Sequence, residues 1–380
     1  MPRRSRSRSG AARSRLAGGA LGLLGLLPGL LCCAPEPLPP PTPLPGFETP
    51  FYFGGFTVPA DNPLTVEGVA LGRMLFYEER LSADDTISCA TCHQPARAFT
   101  DGRTLARGIH GARTPRNTMS LANLLWGPQR FFWDGRAVDL EQQAGQPIVN
   151  PDEMGSTWDE VIAKLERAPA YPASFEAAFG TREITPERVT KALASFERTM
   201  VSTGSRYDRY LRGELRLDPR EQRGRELFMT HPDAKAGIRG ANCIDCHSQF
   251  LTSGFAPEFD GFQNNGLDDD DQLEAGLMAV TGRSRDRGRF KAPTLRNIEL
   301  TAPYMHDGRF ATLEEVIDHY SDHVVSSSTL DPLIREAANT PGAPLGVTLT
   351  HDEKAALLAF LRTLTDHEFV HDPSLSDPGA

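Results

Sequence analysis

The chain has 380 residues, room for about two domains at ~100–200 residues each. Its 39% hydrophobic and 24% charged residues suit a soluble protein with buried cores. A formal net charge of -10 argues against a nucleic-acid binder, which wants a basic face.

Residues 1–33 read as an export signal. Arg3, Arg4, Arg6, Arg8, Arg13 and Arg15 precede an apolar run from Leu16 to Leu31, which Gly and Pro28 break up. The run is too short and interrupted for a membrane span. It ends in Leu30-Leu31-Cys32-Cys33, similar to a degenerate lipoprotein box, so a lipid-anchored and a freely secreted protein are both open. Ala34 to Pro45 is proline-rich and predicts an extended, semi-rigid tether, with irregular chain completing residues 34–60.

Helix signals then dominate. Thr65 can cap a helix carrying Val69, Leu71, Met74 and Leu75, and Thr157 to Glu160 is a capping box. Thr185-Pro186 puts proline at a first helical position, and Asp218 to Glu221 opens another helix. Thr312 to Glu315 and Thr350 to Glu353 are further boxes. No stretch offers a run of alternating strands, so the fold class is all-α. Gly72-Arg73-Met74-Leu75-Phe76 is echoed by Gly224-Arg225-Glu226-Leu227-Phe228, an internal repeat that divides the chain into 61–212 and 213–365, with 366–380 as a tail. The acidic run Asp268 to Asp271 reads as a solvated turn.

Each repeat unit leads into a Cys-x-x-Cys-His run: Cys89-Ala90-Thr91-Cys92-His93 and Cys243-Ile244-Asp245-Cys246-His247. This is the attachment pattern of a c-type haem: two thiols bind the porphyrin edge and the adjacent histidine binds the iron. Two matches use four of the six cysteines and predict two covalently bound haem c groups, with His93 and His247 as iron ligands. Such haems are attached outside the bacterial cytoplasm, in agreement with the leader.

Beyond the first motif come Phe131-Phe132-Trp133-Asp134-Gly135-Arg136, Gln142-Gln143, Pro147 and Pro151-Asp152-Glu153-Met154. A carboxylate and an amide over an open iron are what heterolysis of hydrogen peroxide requires. On spacing alone the constellation is weak, because Glu and Gln are usually surface residues.

With Pro115-Arg116-Asn117, Pro293-Thr294-Leu295-Arg296-Asn297 and Thr301-Ala302-Pro303-Tyr304-Met305-His306-Asp307-Gly308, these motifs resemble the bacterial di-haem cytochrome c peroxidases, including their MauG branch, from about residue 60 to 365. The resemblance implies two cytochrome c-type domains around an interdomain calcium ion, bound by the Asn117 side chain and the Thr301 and Pro303 carbonyls. It implies a peroxidatic first haem with Glu153 as acid–base group, Gln143 beside it, Pro147 on the loop that controls access, and Trp133 between the haems. It further implies hydrogen peroxide as substrate, a periplasmic setting, and a small donor such as a cytochrome c or cupredoxin. Monomer and homodimer both occur among such proteins.

In some members a histidine near His110 caps the first iron at rest, whereas the MauG branch leaves it open. His110 lies one residue nearer the Pro-Arg-Asn motif than that pattern expects, so both readings stand. At the second iron the sixth ligand is methionine in many members, and the matching position here is Tyr320, as in the MauG branch. His319, His323 and Met305 are the competing ligands, a packed helix aromatic is the bland reading of Tyr320, and His306 reads as a hydrogen-bonding residue near the haem edge. MauG proper carries a tryptophan two residues before the second haem cysteines; Ala241 stands there, and neither Trp126 nor Trp158 replaces it. The expectation is an exported di-haem peroxidase. Its rivals are oxidation of a protein or other substrate through a high-valent di-haem state, and a non-catalytic electron carrier.

Overall fold

Side-chain caps set where most of the helices begin in the computed structural model, which describes residues 39–46, 50–126, 130–248 and 261–379. The export signal and its Cys32-Cys33 end lie outside the described residues. In the first half, Thr65 accepts from the Gly68 amide and opens α1 (Val66–Phe76). The first haem cysteines form α2 (Cys89–Cys92), and Asp139 caps α3 (Leu140–Val149). The Thr157–Glu160 box opens α4 (Trp158–Arg167), and α5 (Ala170–Phe179) and α6 (Pro186–Glu197) follow. In the second half, α7 (Arg206–Leu211) precedes α8 (Pro219–Met229), which starts at the expected Asp218 cap. The remaining helices are α9 (Met278–Thr281), α10 (Leu313–Asp322), α11 (Pro332–Arg335) and α12 (His351–Arg362), with Thr312 and Thr350 heading α10 and α12 as capping boxes. The only ladder among the described residues pairs β1 (Phe262–Gln263) antiparallel with β2 (Phe290–Lys291), in the register Phe262 to Lys291 and Gln263 to Phe290. The chain is therefore mostly helical, as its patterning predicts.

The repeat is a packing motif. α1 crosses α6 so closely that a Cβ on Gly72 would sit 1.9 Å from the Ala192 carbonyl oxygen. α8 crosses α12 the same way, a Cβ on Gly224 lying 1.9 Å from the Ala356 oxygen. Both helix pairs then bury Leu-Phe: Phe76 packs edge-on to Phe196 with centroids 5.4 Å apart, and Phe228 meets Phe360 at 5.5 Å. A second echo lies outside the expected repeat. Phe131 bridges Ala137 and Tyr304 bridges Phe310, with positive φ at Phe132 and Met305 and at Gly135 and Gly308. Each of these loops runs into a capped helix, α3 or α10.

Two large hydrophobic cores result, beside a small cluster of Phe53, Leu125 and Trp126. The first gathers buried residues from Leu71 to Met200 with Phe369, Val370 and Leu375; the second runs from Tyr207 to Leu364. The last residues thus return to the first core, where the Arg73 guanidinium donates to the Pro373 and Ser376 carbonyls. Arg296, fully buried, donates at 2.6 Å to Asp208, which also accepts from the Tyr52 hydroxyl and from Ser205. Its neighbour Asn297 donates to Ser202 and accepts from the Asp366 amide, tying the crossing loops together. No helix among the described residues is long and apolar enough to cross a membrane.

Candidate active site

The first haem motif forms one wall of a cavity of about 1190 Å³, counting its open mouth, into which Cys89, Cys92 and His93 face. Thr91 and Ser88 close a capping box around this single turn, which fixes the two thiols on one side. The His93 ring shares a proton with the Phe99 carbonyl oxygen through Nδ1 at 2.8 Å. With Nδ1–H committed to a carbonyl, Nε2 carries the lone pair. Burial lowers the pKa of His93, keeping the ring neutral, and raises those of both thiols, Cys92 to about 12.

The opposite wall comes from α3 and the turn after it. Gln143 and Pro147 lie one helical turn apart on the same face, and both line the cavity. The Gln143 side-chain oxygen is buried without a hydrogen-bond partner among the described residues. Pro147 supplies no N–H to the helix, and its carbonyl instead accepts from the Met154 and Asn150 amides, folding the chain back so that Glu153 also faces inward. Burial pushes the Glu153 carboxyl above the usual carboxylate range, against the nearby Arg136 charge and an Asn150 hydrogen bond. The loop before it is locked on: Ile109 N–H donates to the Glu153 carbonyl at 2.8 Å, and Gly108 sits where a Cβ would strike the Asp152 oxygen at 2.0 Å. His110, on that loop, has a side chain 77% exposed, 3.9 Å from the Asp84 carboxylate. It is not among the residues lining the cavity.

The second motif faces a cavity of about 1380 Å³, again counting its open mouth, lined by residues that include Cys243, Cys246, His247, Met305, His306 and Tyr320. The His247 ring bonds the Pro293 carbonyl through Nδ1 at 3.1 Å, and burial lowers its pKa to about 4. Tyr320 points in from α10, its hydroxyl accepting from the Asn265 amide at 3.2 Å; burial pushes its pKa up to about 12. Met305 stands beside it, its sulfur 3.4 Å from the same amide. His319 is engaged with the Asn265 carbonyl, His323 with the Asp318 carbonyl, and His306 stacks on Phe290 with centroids 3.7 Å apart. Asn265 carried no sequence signal, because it acts only through the fold of the loop that brings it to Tyr320.

Trp133 and Lys291 line both cavities. The Trp133 indole N–H donates to the Asn117 carbonyl at 2.8 Å, and its own carbonyl accepts from the Lys291 amide at 2.9 Å. Asn117 binds the Arg103 and Thr104 carbonyls through Nδ2, and its backbone N–H donates to the His306 carbonyl. The loop that contains Thr301 and Pro303 is thereby held against Asn117. Glu197, at the end of α6, also lines the first cavity; burial raises its pKa to about 8 and its Oε2 has no partner among the described residues. Sequence reasoning missed it and Lys291, because each stands among other charged residues, Glu197 beside Arg198 and Lys291 just after Arg287 and Arg289, and nothing local marks it as buried.

Comparison with known proteins decides the class. The di-haem cytochrome c peroxidase family model matches residues 66–216. The chain is 42% identical to methylamine utilization protein MauG of Methylorubrum extorquens over 69% of this chain and 70% of the relative. It is 35% identical to the cytochrome c551 peroxidase of Nitrosomonas europaea over 81% of this chain and 83% of that one. Among solved structures, a MauG-like protein associated with microbial copper homeostasis superposes with a TM-score of 0.74 at 39% identity, covering 92% of this chain and 99% of its own.

The chain belongs to the di-haem cytochrome c peroxidase family. It is a peroxidase-type oxidoreductase, and the family implies two covalent haems, hydrogen peroxide as substrate and a cytochrome donor. The residues present fit those haems. In each cavity of this family member a pair of free thiols accompanies a neutral, carbonyl-anchored histidine, and in the first the unpaired Gln143 oxygen faces the same space.

Proposed function

We propose that the chain reduces hydrogen peroxide at the first cavity with electrons arriving from or through the second. One observation carries this reading. Trp133 and His306 each lie seven residues before the first residue of a capped helix, Leu140 or Leu313, and Pro147 and Tyr320 each lie seven residues after it. The same helix position over the two haem sites therefore bears proline in one and tyrosine in the other. Proline has no atom to donate to iron; a phenol oxygen does.

Each bound haem would supply an iron that exchanges single electrons, and one with an open position would also take peroxide. The chain's residues do the rest. Glu153, whose pKa burial raises, takes the proton from one peroxide oxygen and returns it to the leaving one. The Gln143 amide orients peroxide and released water, and Pro147 keeps the approach free of a competing ligand. His110, turned outward, supports a first site that is open without activation. At the second site Tyr320 is the ligand of choice, with the Asn265 amide N–H supporting charge on its oxygen. Trp133 serves as the path between the sites. Calcium is expected at Asn117, whose Nδ2 is tied to two carbonyls so that Oδ1 points away from them, with the Thr301 and Pro303 carbonyls. Neutral oxygens of this kind suit that hard cation.

The chain would work outside the cytoplasm, taking electrons from a small cytochrome c or cupredoxin; its acidity suits a basic partner. Tyr320 also favours a second reading, MauG-type oxidation of another substrate. Ala241, where MauG has its exit tryptophan, weighs against a protein substrate served by that route. Spectroscopy of Tyr320→Met tests the central assignment. The second haem of the variant should change its ferric absorption and magnetic spectra and rise in potential; a second haem indistinguishable from the parent's refutes Tyr320 as ligand. Carbon monoxide separates the peroxidase from a plain carrier: it should bind the first haem once reduced, and binding at neither iron sinks the peroxidase reading.

A further inference from the structure

Lys291 is 4% exposed, on the two-residue strand β2, and it lines both cavities. Around the second cavity it is the one lysine or arginine among the described residues, with no aspartate or glutamate; the first cavity also holds Glu153, Glu197, Arg107, Arg116 and Arg136, but no carboxylate there acts on Lys291. Its Nζ lies over the Phe131 ring, 5.4 Å from the centroid. Burial alone lowers its pKa, to about 7, with no carboxylate acting against that. A buried ammonium without an anion is strongly disfavoured unless something supplies the charge. On the paired strand, opposite Phe290, the Gln263 side-chain oxygen is buried without a hydrogen-bond partner among the described residues, and Gln263 lines the second cavity. These polar groups therefore await a ligand.

The ligand chemistry follows from the thiols. When two cysteines consume the vinyl groups of a haem, the polar substituents that remain on its ring are two propionate carboxylates. We propose that Lys291 is the shared anchor for haem propionates, a single ammonium serving both cavities and raising the potential of both haems. This rests on the di-haem reading. The anchor would hold the propionate-bearing edges of both haems next to Trp133, to whose carbonyl the Lys291 amide is bonded. It would also restore the charge of the lysine, since a carboxylate partner opposes the effect of burial. A fixed positive charge disfavours ferric iron more than ferrous, so its removal should lower both potentials.

The test uses the full haem-loaded chain and the variants Lys291→Met and Lys291→Arg. Haem content is measured from absorbance in alkaline pyridine, and the midpoint of each haem by spectroelectrochemical titration. The parent and K291M should each carry two haems, both midpoints should fall in K291M, and K291R should stay close to the parent. If K291M does not accumulate, resonance Raman propionate bending bands of the parent and Lys291→Gln read the same contact; coincident bands overturn the proposal. Two haems with an unmoved midpoint at either one overturn Lys291 as the shared anchor. A parent with fewer than two covalent haems overturns the reading beneath it as well.

Discussion

Glu153 and Gln143 illustrate how residue chemistry here depends on removal from water. Neither is unusual on paper, and both are residue types that mostly face solvent. The fold-back at Pro147 turns Glu153 inward, and burial then raises its pKa. The direction fixes the pH dependence. The base form is lost as pH falls through a pKa above the ordinary carboxylate range, so the acid limb of peroxide turnover should lie above that range. Glu153→Gln should lower turnover by ~10²–10⁴-fold, the usual worth of a positioned acid–base group, and should abolish that limb while both haems remain attached. Steady-state peroxide consumption against pH checks both; an E153Q profile that overlays the parent removes Glu153 from the chemistry.

Among the elements, the two crossed helix pairs are the constant part of the molecule, and the helix that follows each echoed loop is the variable part. Gly72 and Gly224 are glycines because the partner helix backbone occupies the space of a side chain. Gly72→Ala and Gly224→Ala should each destabilise the chain by ~1–3 kcal/mol through overpacking, read as a drop in the urea midpoint at unchanged slope. An alanine that leaves the midpoint unmoved would mean that the crossing has slack. The caps at Thr65, Thr157, Asp218, Thr312 and Thr350 were legible in the sequence because an N-cap is a local bargain between one side chain and one or two amides. The echo between residues 131–137 and 304–310 was less so. It is a repeat of backbone shape in which Asp-Gly-Arg is shared, while the first positive-φ position is Phe132 in one loop and Met305 in the other, and Phe131 and Ala137 answer to Tyr304 and Phe310.

For the molecule as a whole, the defining feature is one wall shared by two cavities. Trp133 forms it with Lys291, and its indole N–H is held by the same Asn117 whose backbone reaches the His306 loop. Trp133→Phe keeps the aromatic bulk and loses that hydrogen bond. It should slow the spread of an oxidising equivalent from the first haem to the second after peroxide addition, with peroxide binding little changed. Rapid-mixing absorbance of the two haems measures this, and unaltered transfer would leave Trp133 a core aromatic only.

The sequence by itself determined the haem-attachment motifs, most of the helix starts, the mostly helical class and the Pro147 and Tyr320 identities. Each of these is written in residues a few positions apart, where covalent geometry or a single turn of helix decides the outcome. Tertiary structure alone decided that His110 faces solvent, that Glu197 and Lys291 are buried, that Asn265 meets Tyr320, and that Trp133 belongs to both cavities. Those are statements about water exclusion and about walls built from segments more than a hundred residues apart. Charge and hydrogen-bonding state follow burial, and burial is a property of the packed chain.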